Sequence, residues 1–272
     1  MIFLRNRIAQ LKSPVVALIS FLKAVLVASL LTPVCFVQAS DFQIQPTALE
    51  LNSNVKSGVL SVINNGNKKL NVQISVMEWT QDATGKDVYG ETQDIVFFPK
   101  IMTVEPEEQR AIRIGLKGRS PLQERTYRIF IEEIPAPKKP SGEKPSEKII
   151  AELTIAFRYA IPIFAKPVRL QERGIVEKLE MSRGAVKASI RNTGSIHIKL
   201  LKVKLRGKDT DGKELFSKEI AGWYVLQGMS RSYEAAVPRE VCENLAKFEI
   251  VAEAENFNIN GTLNVQKEMC TQ

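Results

Sequence analysis

The chain has 272 residues, 44% of them hydrophobic, and a formal net charge of +8, which is long enough for two domains of ordinary size, each with its own core. Four cations, Arg5, Arg7, Lys12 and Lys23, precede the first acid, Asp41, so the rest of the chain carries 34 basic residues against 30 acidic, a net of +4 once four are taken from the total of 38. So mild a charge, with no arginine-rich helix and no aromatic platform, excludes the usual nucleic-acid binder.

Residues 1–39 read as a secretory signal. A basic start is followed by the apolar runs Val15–Leu22 and Ala24–Leu31 and by the small residues Val37 and Ala39, with cleavage expected after Ala39. An uncleaved anchor is the alternative reading, but Lys23 interrupts the run before it reaches the roughly 18 to 20 apolar residues of a spanning helix. No later stretch approaches that length, so the mature chain is expected to be soluble, exported to the periplasm and not inserted in a membrane. Cys35, in LTPVC, has Pro where a lipidation signal needs a small residue.

From Asp41 onward, short alternating runs are separated by turn residues, and helical periodicity is lacking. The expected strands are Phe42–Leu51, Gly58–Asn65, Leu70–Gln81, Asp94–Pro99, Gln109–Leu116, Tyr127–Pro135 and Ile149–Phe164. The last is the most unusual. Every second residue from Ile149 to Ile163 is apolar, over a length well beyond the common strand of about 5 to 6 residues. It is preceded by the Pro-, Lys- and Glu-rich segment Pro135–Lys148 and followed by the hinge Ala165–Arg169. Seven strands in about 125 residues predict an immunoglobulin-like sandwich over residues 40–165.

The pattern restarts in residues 166–272 with Ile175–Met181, Ala185–Asn192, His197–Gly207, Lys213–Ile220, Ser232–Val237, Lys247–Glu253 and Gly261–Val265. Asn192, Thr193 and Gly194 repeat the turn role of Asn64, Asn65 and Gly66. A second sandwich is expected, with a cleft between the two. Cys242 and Cys270 flank the last two runs, which a turn at Glu255–Asn260 would fold into a hairpin, so a disulfide is expected between them.

Chemistry-bearing motifs are scarce. The one histidine, His197, sits in a lysine-rich strand without a second metal ligand or a nucleophile, and reads as an exposed strand residue. Gly115–Gly118 lacks the spacing of a phosphate loop, and Glu132 and Glu133 point to opposite faces of one strand. Binding is therefore expected rather than catalysis, with no metal and no other cofactor.

Several stretches, in their order, resemble the PapD-like periplasmic chaperones of chaperone/usher pilus assembly. They are Pro46–Leu51, Val104–Ile114, the run Tyr127–Pro135 with its polar loop, Ile161–Pro167, and the Asn192–Gly194 turn followed by Trp223–Arg231. The resemblance covers nearly all of the mature chain. It implies an all-β boomerang of two immunoglobulin-like domains that binds pilin subunits by donor-strand complementation. The long strand would lend Leu153, Ile155 and Phe157 to the subunit's groove, and the subunit would then pass to an outer-membrane usher. Lending a strand in this way combines main-chain bonding at a sheet edge with side chains in pockets. An exposed apolar strand also gives the free protein a reason to self-associate.

The departures point to a divergent branch of that family. The cations that hold a subunit's terminal carboxylate fall here on Ala48 and Pro162, and the common Gly and Pro fall on Glu107 and Gln227. Arg128, then Arg158, then Arg113 are the replacement candidates, since an arginine fork suits a carboxylate. Glu133 and Lys166 match positions that form an interdomain salt bridge. The alternative is a structural or adhesive two-sandwich envelope protein, in which the long strand is only a core strand.

Overall fold

A computed structural model describes residues 42–135 and 156–270. The expected signal at residues 1–39 and the stretch Ile149–Ile155, with Leu153 and Ile155, lie outside these residues.

The first sandwich is built from β1 (Phe42–Gln45), β2 (Leu49–Leu51), β3 (Ser57–Asn64), β4 (Leu70–Gln81), β5 (Asp87–Glu91), β6 (Ile95–Phe98), β7 (Ile101–Val104), β8 (Gln109–Leu116), β9 (Arg125–Glu133) and β10 (Arg158–Ala165). One sheet runs β1-β3-β8-β6, and the other runs β2-β10-β9-β4-β5 with β7 also on β4. Alternation explains the layers: Leu60 and Val62, Val72 and Ile74, Ile112 and Ile114, and Ile129 and Ile131 all point into one core. The expected strand Phe42–Leu51 divides into two. β1 pairs antiparallel with β3 in one sheet, whereas β2 pairs parallel with β10 in the other, and Pro46 between them has no N–H to continue a ladder.

The second sandwich has β11 (Gly174–Ser182), β12 (Ala185–Asn192), β13 (Ile198–Lys208), β14 (Glu214–Ala221), β15 (Tyr224–Val225), β16 (Ser230–Ala236), the short helix α1 (Arg239–Cys242), β17 (Lys247–Ala254) and β18 (Asn258–Asn264). Its sheets are β11-β12-β16 and β14-β13-β17-β18, with β15 also on β13. A separate core runs through Val186, Ile190, Val203, Leu205, Phe248 and Ile250. A disulfide joins Cys242 on α1 to Cys270 in the closing 3-10 turn, with Cα atoms 5.7 Å apart. Closing a loop of that size contributes about 3–4 kcal/mol in the chain-entropy picture.

Asn64 and Asn192 play the same part in the two sandwiches. Each is buried, each side chain donates to backbone carbonyls of its own loop and of a neighbouring segment, and each Oδ1 accepts the N–H of the glycine two residues on. The strands β5, β7 and β15 and the helix α1 are additions to the sequence reading, and Asn258–Asn260 belongs to β18 rather than to the turn.

The described part of the long strand is β10. Ala156 and Phe157 precede it, although Glu133 still donates its backbone N–H to the Phe157 carbonyl at 2.9 Å. Ile161, Ile163 and Ala165 face the core of their own sandwich, while Pro162 and Phe164 are buried on the opposite face. At this end the strand is a core strand covered on both sides. Phe157, at 38% exposure, is where cover thins, its ring set edge-on to Phe42 at 6.4 Å.

Candidate functional site

The outer face of the β2-β10-β9-β4-β5 sheet meets the second sandwich. Trp79 from β4, Phe164 from β10 and Leu226 form a small buried cluster of their own, flanked by Ala48, Tyr224 and Met229. Polar contacts surround it. Gln81 donates to the Tyr224 carbonyl at 2.9 Å and accepts from the Leu226 N–H at 3.0 Å. Arg231 donates to the Gly85 carbonyl; Gly85 has φ +83°, and a Cβ there would lie 2.8 Å from the Arg231 Cα, so only glycine fits this turn.

His197 is not the exposed residue expected from its strand. Its ring stacks on Phe164 at 3.7 Å between centroids, and the Glu124 carboxylate takes both its backbone N–H, at 2.7 Å, and its Nδ1, at 2.8 Å. The stack and the carboxylate come from residues 33 or more positions away in the chain, so the strand's own alternation carries no trace of them.

Arg128 lies at the centre of the face. In the β9–β10 ladder it pairs directly with Pro162, and in the β9–β4 ladder with Met77. Directly paired residues project to the same side of a sheet, so the guanidinium shares a face with the position where a cation is missing. Arg128 is 5% exposed, with Cζ 3.9 Å over the Trp79 ring and 5.8 and 5.9 Å from the rings of Trp223 and Tyr224. Its Nη1 donates to the Ala160 carbonyl at 2.9 Å, while Nε and Nη2 are buried without a hydrogen-bond partner. Those two nitrogens form one edge of the guanidinium, the edge that grips a carboxylate bidentately. Burial pushes the pKa of Arg128 down, opposed by the fields of Tyr89, Asp87 and Tyr224, and a guanidinium remains cationic at any ordinary pH.

The other candidates stand elsewhere. Arg158 sits on β10 but is engaged with Glu132 at 2.5 Å and lies over the Phe130 ring, half-exposed. Arg113 is on β8, in the other sheet, so it cannot share a site with Arg128. The expected pairing of Glu133 with Lys166 does not form: the two stand at opposite ends of the β9–β10 ladder, about 30 Å apart by strand rise. Lys166 instead binds Glu50 at 2.6 Å, and Glu133 turns its carboxylate toward the Phe157 N–H. Which ends of two strands meet is set by register, and residue identity alone does not carry it.

Sequence reasoning passed over Trp79, Asp87 and Glu124, and took Trp223 only as part of a motif. The two tryptophans were the available signal, because large aromatics at strand ends gather where domains meet.

Fold and site define a two-domain protein of immunoglobulin-like sandwiches. Residues 41–171 match the family model of the pili and flagellar-assembly chaperones, PapD N-terminal domain. Among solved structures, the chain is similar to one in the CsuC–CsuE chaperone–tip adhesion subunit pre-assembly complex from archaic chaperone-usher Csu pili of Acinetobacter baumannii. The TM-score is 0.58 at 20% identity, over 80% of this chain and 97% of that one. It is also similar to the YadV chaperone, with a TM-score of 0.50 at 17% identity over 82% and 99% of the two chains. At these identities the likeness establishes the fold. No curated protein sequence matches the chain. Through residues 41–171 the chain carries the N-terminal domain of the PapD-like pilus-assembly chaperones, and it shares the fold of the solved chaperone structures.

Proposed function

We propose that this protein is an exported periplasmic chaperone that binds, folds and caps pilin subunits by lending them a strand, and hands them to an outer-membrane usher. The observation that carries this reading is the bare Nε/Nη2 edge of Arg128, buried beside Pro162 on the face of the lending strand. A buried donor left unpaired is costly, and a subunit's terminal carboxylate supplies the missing acceptor. Arg128 then takes over the role that Ala48 and Pro162 cannot perform, which fits a divergent branch of the family.

The lending segment is the stretch ahead of β10. Leu153 and Ile155 continue the alternation that puts Tyr159, Ile161 and Ile163 toward the first core, and Phe157 is the exposed end of the described part. The carboxylate fixes the register, and the alternating side chains fill the subunit's groove. The similar CsuC–CsuE complex pairs a chaperone with a tip adhesion subunit, which supports pilus subunits as partners here. A second partner has its own surface: Val59, Val96, Phe98 and Arg113 line an open groove on the opposite sheet, with Phe98 74% exposed. That groove stays free while the first face is occupied, which supports delivery to an usher. The basic, then apolar, N-terminal segment and the Cys242–Cys270 disulfide support export.

Co-expression with a pilin subunit tests the reading. An equimolar complex is expected from the unaltered chain, and its loss in the double variant Leu153→Asp, Phe157→Asp. An intact complex in that variant refutes strand lending.

A further inference from the structure

The carboxylate-binding edge of Arg128 is closed in this structure, and part of the closure comes from the second sandwich. Of the three rings around the guanidinium, Trp79 is fully buried in the cluster between the sandwiches, and Tyr224 belongs to β15, where the Lys199–Tyr224 pairing fixes it. Trp223 differs. It precedes β15, it is 41% exposed, and its indole Nε1 donates to the Asp87 carboxylate at 3.1 and 3.3 Å to the two oxygens. Asp87 also receives the Gln81 side chain at 3.1 Å. The charge of Asp87 favours the Arg128 cation, yet its oxygens serve Trp223 and Gln81, and the bare edge stays bare.

We propose that Trp223 is a gate over the Arg128 anchor, latched by Asp87, and that an incoming terminal carboxylate opens it. This rests on the reading of Arg128 as the anchor. In the free protein the gate keeps the guanidinium dry between aromatic faces, where it is held by cation–π attraction. A carboxylate arriving on a subunit strand offers two charge-assisted bonds to the Nε/Nη2 edge. Those replace the single indole bond to Asp87, and Trp223 turns outward. Capture of the subunit's end is thereby coupled to release of a contact between the two sandwiches, because Asp87 belongs to the first and Trp223 to the second. A small anion lacks the strand contacts that accompany the carboxylate and so gains less from opening the gate.

The test uses the protein labelled with fluorotryptophan. Its two tryptophans give two fluorine resonances, assigned by Trp223→Phe. The probes are the peptide Ac-Val-Thr-Ile-Thr-Leu-Thr-Phe with a free C-terminal carboxylate and the same peptide amidated. The acid is expected to bind more tightly than the amide and to shift the Trp223 resonance toward its solvent-exposed position. Asp87→Ala is expected to tighten acid binding by about fivefold, the scale of one net hydrogen bond, without changing amide binding. Asp87→Asn keeps an acceptor for the indole and should alter acid binding by less than about twofold. Equal gains from Ala and Asn overturn the gate, since only the lost charge would then matter. A Trp223 resonance that stays in place while the acid still outbinds the amide also overturns the gate and leaves the anchor standing. No preference for the acid, or a preference that survives Arg128→Met, overturns the anchor reading itself.

Discussion

Glu124 and His197, from different sandwiches, are joined twice through one carboxylate oxygen. Oε2 accepts the His197 backbone N–H and lies 2.8 Å from its Nδ1, while Oε1 is buried without a partner. The Glu124 side chain is wholly buried, so the imidazole provides hydrogen bonding that water cannot. His197→Ala is expected to lower stability by about 1–3 kcal/mol, the cost of leaving a buried acceptor short of a donor. Glu124→Gln keeps an accepting oxygen and should cost less than about 1 kcal/mol. Urea unfolding of both variants measures this, and a neutral His197→Ala would show that the brace carries no energy.

Arg128 makes the opposite case, a buried group whose removal should leave the fold intact. It desolvates a cation and leaves two donors unpaired, so a similar-sized apolar side chain in its place avoids that cost. Arg128→Met is expected to leave the stability of the free protein unchanged or raise it by about 1–2 kcal/mol, as replacement of imperfectly paired buried ions often does. The same variant should fail to retain a co-expressed pilin. Unfolding midpoints together with pull-down of the pilin measure the two halves. A large loss of stability would mean that Arg128 is structural.

Both cores were legible because alternation states which side of a strand is buried. Leu70, Val72 and Ile74 face the first core, as their spacing implies. The Asn64 and Asn192 turns were legible too, since the bond from each Oδ1 to the glycine two residues on is local. The face between the sandwiches was not. The strand β5 is largely exposed and gives no apolar pattern, yet it delivers Asp87. The His197 contact to Glu124 spans 73 positions, and nothing local to either residue signals it. Arg128 could be nominated from its strand alone, but the bare edge and the pairing with Pro162 depend on register.

Glu107 lies in the left-handed backbone region, with φ +60°, at the position where the resemblance expects glycine. A side chain in that conformation costs roughly 1–2 kcal/mol, partly offset by the freedom a glycine adds to the unfolded chain, about 0.4–1 kcal/mol. Its side chain is exposed, so little packing is lost by removing it. Glu107→Gly should therefore raise stability by up to about 1 kcal/mol, and Glu107→Val, with a branched carbon at the same φ, should lower it. Thermal unfolding of the pair decides the matter through the difference in sign.

The acid limb of stability should come largely from the second sandwich. Glu177 is held below the ordinary glutamate value by hydrogen bonds from Arg191 and Ser230, Glu249 by bonds from Lys208 and Lys247, and Glu253 by the bond from Lys204. A carboxyl whose folded pKa is depressed contributes stability that is present above its unfolded pKa and lost as pH falls through the folded value. Thermal midpoints should thus be level above about pH 5 and fall as pH drops through and below the ordinary glutamate pKa of 4.5. These pairs lie at the surface and are screened by salt, so the fall should be shallower at high ionic strength. Replacing Glu177, Glu249 and Glu253 together by glutamine should flatten the limb. A limb that remains as steep in the triple variant would place the acid-sensitive groups elsewhere in the protein.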